Sequence, residues 1–123
     1  MKIKDVQEIL KAELLCGDSC VDNDVEGYFA CDLISEMLLH MKPSSLLVTS
    51  LLNAHVVHTA HVMDVSGVVF VAGKKPDETI IANARQNAIP LLSTSYLMYE
   101  SCGKLYVSGI GISLENTDPV SGD

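Results

Sequence analysis

Apolar positions change rhythm several times along this chain, and each change marks an element. Ile3, Val6, Ile9 and Leu10 recur at spacings of three and four, which predicts a short helix over residues 3–11 with one apolar stripe. Leu14, Leu15 and Cys16 read as a short strand, residues 17–24 as a polar loop, and residues 25–31 as a second strand with Val25, Gly27, Phe29 and Cys31 on one face. Asp32 is the expected N-cap of a helix carrying Leu33, Ile34, Met37, Leu38 and Met41 on one side, ended by Pro43.

From Leu46 the alternation becomes regular. Strands over 46–49, 68–72 and 89–92 are separated by helices over 53–64 and 76–88, with Pro76 in the first turn of the second. A last helix, 95–108, stops at Gly109. Continuous apolar strands between amphipathic helices require a parallel sheet covered on both faces. The chain is therefore expected to be a three-layer, Rossmann-like α/β domain with a mostly parallel sheet, its strand order left open. The domain is placed at residues 1–112, and residues 113–123, with Glu115, Asp118 and Asp123 but no basic residue, are expected to form a flexible acidic tail.

Composition narrows the possible partners. At 123 residues, 48% apolar and 20% charged, the chain can fill one core. A formal net charge of -8 opposes binding to nucleic acid or anionic lipid, and no basic run exceeds Lys74-Lys75. No apolar stretch is long enough for a membrane span, and the first residues lead into an amphipathic pattern, so a cytoplasmic protein is expected. The four cysteines, Cys16, Cys20, Cys31 and Cys102, lack zinc-ribbon spacing and read as structural thiols in a reducing compartment. Cys16 and Cys20, around Gly17-Asp18-Ser19, come nearest to a metal or redox pair.

Ligands of open parallel sheets collect beyond the carboxyl ends of the strands, where helix N-termini offer free donors. Three loops fall there: Thr49-Ser50 with Asn53, Gly73-Lys74-Lys75, and Ser93-Thr94-Ser95. Two hydroxyl clusters flanking a lysine loop suit a small anionic or nucleotide-like ligand, with Lys74 as the charge partner. Each hydroxyl cluster has a simpler reading as helix caps, and Asp77-Glu78 would repel phosphate from the middle loop. The chain has no Walker sequence, no glycine-rich dinucleotide fingerprint and no nucleophile elbow, and one arginine, Arg85. No catalytic residue and no cofactor is assigned. His55, His58 and His61 share an arc opposite Val56, Val57, Ala60 and Met63. That arc is read as an exposed polar face or a subunit contact, since it includes Val62 and Ala54, with metal ligation as the alternative.

Three stretches carry a family resemblance: the opening Met1-Lys2-Ile3-Lys4-Asp5-Val6, then Tyr28-Phe29-Ala30-Cys31-Asp32-Leu33-Ile34-Ser35, then Lys75-Pro76-Asp77-Glu78 through Ile89-Pro90-Leu91-Leu92-Ser93-Thr94 to Gly103-Lys104-Leu105-Tyr106. With these the chain resembles the DRTGG-domain family over residues 1–110, in particular its stand-alone members of the kind found near iron hydrogenase genes. The resemblance implies a dimerising Rossmann-like domain with a regulatory or accessory role, found elsewhere beside nucleotide-sensing CBS domains. The Asp-Arg-Thr-Gly-Gly signature itself is absent, so no ligand contact carries over from it. The leading expectation is a non-catalytic, homodimeric regulatory or accessory domain that senses a small anionic or nucleotide-like ligand or engages a protein partner. A metal- or redox-responsive accessory protein, and an enzyme acting on a small phosphorylated substrate, are the alternatives.

Overall fold

The computed structural model describes residues 1–109; the expected acidic tail lies outside them. Five strands form one sheet: β1 (Glu13–Cys16), β2 (Gly27–Ala30), β3 (Ser45–Thr49), β4 (Gly67–Phe70) and β5 (Leu91–Ser93). Their spatial order is β1-β5-β4-β3-β2, with β2 to β5 parallel and β1 antiparallel to β5. The three-layer, mostly parallel α/β fold is the one the alternation predicts. Every residue of β3, β4 and β5 is buried, which is why those strands read as unbroken apolar runs, whereas β1 and β2 are edge strands with partly open residues.

The helices α1 (Ile3–Leu10), α2 (Ile34–His40), α3 (Ala54–Val62), α4 (Glu78–Gln86) and α5 (Met98–Ser108) divide between the two faces. Ile3, Val6 and Leu10 of α1 and Leu105 of α5 pack with Leu46, Val48, Val69, Val71 and Leu92. Met37, Val56, Val57, Ala60, Ile80, Ile81 and Ala84 of α2 to α4 pack on the other face with Leu47, Val68, Phe70 and Leu91. Alternate residues of β2 to β5 thus feed two separate cores.

Several element boundaries depart from the sequence expectation. Residues 25–26 precede β2, although Val25 is buried. Asp32 does not cap α2; Leu33 holds that position without a side-chain bond. Leu33 and Leu38 are exposed, and within α2 only Met37 is buried, followed by Met41 just beyond its end. The cause is position: α2 follows the edge strand β2 and has sheet beneath only part of its surface. Pro76 precedes α4, whose cap is Asp77, accepting from the Ile80 N–H at 3.0 Å. The last helix starts at Met98 instead of Ser95, so neither Thr94 nor Ser95 is its cap. Asn53 does cap α3, accepting from the Val56 N–H at 3.3 Å.

Candidate functional site

The parallel register decides which polar residues meet. Thr49 pairs with Phe70 and Phe70 with Ser93, so these three share one row at the carboxyl ends of β3, β4 and β5. Two interstrand spacings put Thr49 and Ser93 about 10 Å apart on the same face. The two hydroxyl clusters therefore reach one sheet edge, as the sequence expectation requires, with one strand between them.

On β2, Ala30 is opposite Val48, which brings Asp32 level with Ser50. The Asp32 carboxylate accepts hydrogen bonds from the Thr49 hydroxyl at 2.9 Å, the Ser50 backbone N–H at 2.7 Å and the Ser50 hydroxyl at 2.7 Å. Desolvation, the largest single influence on this carboxyl, acts upward. The Ser50 backbone and hydroxyl, the Thr49 hydroxyl and the charge of Lys74 together outweigh it and hold Asp32 below the usual carboxylate range. Sequence reading missed Asp32 as a member of the mouth because a polar residue between a strand and a helix looks like a cap. Only the β2–β3 register shows that it faces the next strand's loop.

The other candidate residues take different places. The Ser93 hydroxyl donates to the Lys74 carbonyl at 2.7 Å. Thr94 turns to the opposite face, where its buried hydroxyl donates to the Leu10 carbonyl at 2.7 Å and accepts from the Tyr96 N–H. Ser95 is exposed at the rim. Between β4 and β5 the following helices diverge to opposite faces, the arrangement that opens a ligand crevice in many α/β sheets. Here the chain closes that gap with its own backbone: Ala72 N–H donates to Tyr96 O at 2.8 Å and Gly73 N–H to Thr94 O at 2.7 Å. Both donors sit in left-handed conformations, with φ of 61° at Ala72 and 71° at Gly73. For Ala72 that geometry costs about 1–2 kcal/mol, which the paired hydrogen bonds offset. Thr49 and Ser93 are buried beneath this edge, and the polar residues open to solvent along it are Asp32, Ser50, Asn53 and Lys74.

His55, His58 and His61 all lie exposed on α3. Among the described residues no three His, Cys, Asp or Glu side chains gather into a group able to hold a metal ion. Also among the described residues, no helix is long and apolar enough to cross a membrane.

A mostly parallel three-layer sheet with polar groups along one carboxyl edge defines the class of this protein as an α/β domain. The chain belongs to the DRTGG domain family, whose sequence profile matches residues 5–106. Among solved structures it is similar to the CBS and DRTGG domains of the regulatory region of Clostridium perfringens pyrophosphatase, a complex with the activator diadenosine tetraphosphate. The TM-score is 0.71 at 13% sequence identity, covering 85% of this chain and 45% of that one. This chain thus spans less than half of that regulatory region, and the likeness is one of fold. No curated protein matches significantly.

Proposed function

We propose that this protein is a non-catalytic regulatory domain that senses a nucleotide-like ligand at the mouth formed by Asp32, Thr49, Ser50 and Asn53, with Lys74, Ser93 and Ser95 at its rim. The observation that carries this reading is the triple hydrogen-bonded Asp32 carboxylate, joined to the Thr49–Phe70–Ser93 row at one sheet edge. The three donors already hold a negative charge, so a phosphate cannot take their place without displacing Asp32. The carboxylate's remaining lone pairs instead suit the paired hydroxyls of a ribose, and Lys74, whose charge reaches Asp32, suits the phosphate of the same molecule. The pyrophosphatase regulatory region, which is bound to a dinucleotide, supports a nucleotide as the ligand class. Thr94 has no part in this site, its hydroxyl being engaged on the other face.

The domain acts as a homodimer through the outer surface of α2 and α3, where Leu38, Leu39 and Val62 are exposed, Val62 at 58%. Its four free thiols fit a cytoplasmic setting. Calorimetric titration with adenosine, adenosine monophosphate and diadenosine tetraphosphate tests the ligand reading. Binding of a nucleotide that Asp32→Ala weakens at least tenfold, and Thr94→Val leaves unchanged, is the expected result. Nucleotide binding unaffected by Asp32→Ala and Lys74→Ala would overturn the site, and absence of binding to the whole nucleotide set would overturn the ligand class.

A further inference from the structure

At the opposite edge of the sheet, the β1–β5 pairing is irregular between Leu14 and Cys16. Leu14 packs into the α1–α5 core, while Leu15 and Cys16 both turn to the other face. The interruption thus brings the Cys16 thiol over to the side of α4. Gly17, at φ 92°, then reverses the chain against Pro90, and the Cys20 N–H closes the turn on the Gly17 carbonyl at 2.8 Å. The Cys16 thiol donates to the Ile89 carbonyl at 3.4 Å and the Cys20 thiol to the Ala88 carbonyl at 3.5 Å. The two sulfurs thus hang on successive carbonyls of one segment, and Cys20 is close enough to act on the Cys16 thiol electrostatically. The turn keeps Gly17 and Cys20 within about 7 Å, with Cys16 the next residue before it, and closure requires the two cysteine Cα atoms to settle about 4.4–6.8 Å apart. Both cysteines line a cavity of about 510 Å³ together with Asp18, Ser19 and Arg85.

We propose that Cys16 and Cys20 are a peroxide-sensitive dithiol that closes to an intramolecular disulfide in this cavity. Cys20, partly exposed, meets the oxidant first, and Cys16, buried, resolves the product. The Cys20 sulfur attacks one oxygen of hydrogen peroxide; the O–O bond breaks, leaving a sulfenic acid, and the departing hydroxide takes the Cys20 proton to become water. The Cys16 sulfur then attacks the Cys20 sulfur, the S–O bond breaks, and the second hydroxide leaves as water with the Cys16 proton. Two thiols lose two electrons and two protons, and one peroxide becomes two waters. Burial pushes the Cys16 thiol up, with a backbone hydrogen bond at Leu91 and then the Arg85 charge partly opposing it.

The test treats the full chain with one equivalent of hydrogen peroxide, then alkylates under denaturing conditions and weighs it. The expected result is a monomeric chain lighter by two hydrogens before alkylation, with two of its four thiols lost. The Cys31→Ser/Cys102→Ser variant should keep this behaviour, with no free thiol left after oxidation. Cys16→Ser should stop at a sulfenic acid on Cys20 that dimedone traps. Four alkylated cysteines after peroxide would overturn the proposal. So would a chain-to-chain disulfide, or over-oxidation of Cys20 with Cys16 still alkylated in the Cys31→Ser/Cys102→Ser variant.

Discussion

Replacing Thr94 with valine separates the structural hydroxyls of this sheet edge from those available to a ligand. Thr94 is 1% exposed, and its hydroxyl is the partner of the Leu10 carbonyl, at the C-terminal end of α1, and of the Tyr96 N–H. Valine keeps the shape of the side chain and removes both bonds. The lost hydrogen bond is worth about 0.5–1.5 kcal/mol, and a buried partner left unsatisfied costs about 1–3 kcal/mol. A net loss of about 2 kcal/mol is therefore expected, since Leu10 lies at a helix end where its carbonyl has no intrahelical donor. For a domain of this size that lowers the Tm by about 6–10 °C, between the responses of smaller and larger domains. Urea unfolding followed by circular dichroism should show a lower midpoint with an unchanged slope. A loss under about 0.5 kcal/mol would refute the assignment of this bond as the tie between α1 and β5. Weakened nucleotide binding by a folded Thr94→Val protein would refute its exclusion from the site.

Gly17→Ala should destabilise the fold strongly, because a Cβ there would lie 2.5 Å from Pro90 Cα on a backbone at φ 92°; retention of the wild-type Tm in a thermal melt would count against the tight turn. Ser101→Ala should leave stability unchanged or raise it by about 1–3 kcal/mol, since the buried Ser101 hydroxyl has no hydrogen-bond partner among the described residues; a lower urea midpoint would reveal a partner. Because Asp32 is depressed in the folded state, its stabilising contribution is fully present above the ordinary aspartate value of about 3.9 and is lost as pH falls through its lower folded value. The stability gap between wild type and Asp32→Asn should therefore narrow on acidification below about pH 4, and a gap that widens in acid-titrated melts would contradict the hydrogen-bonded carboxylate. Val62→Asp should convert the proposed dimer to a monomer in sedimentation, and an unaltered dimer would move the interface away from α3.

Local chemistry in the sequence determined the number and sequence order of the strands and α-helices, the two-faced burial of β3 to β5 and the Asn53 cap, because these depend on side-chain periodicity and on contacts within a few residues. Residues 95–97 read as the start of the last helix because nothing local distinguishes the bend that follows β5 from a helix's first turn. In the structure the carbonyls of Thr94 and Tyr96 accept from Gly73 and Ala72, residues far away in the chain. Tertiary structure alone decided that Thr94 faces α1 while Ser93 faces the mouth, since adjacent strand residues point to opposite faces and only the packed helices give each face its identity. It also turned Asp32 from a presumed cap into the acceptor of three hydrogen bonds. That role depends on the register between two parallel strands, and register is set by long-range pairing that the order of residues along one chain does not reveal.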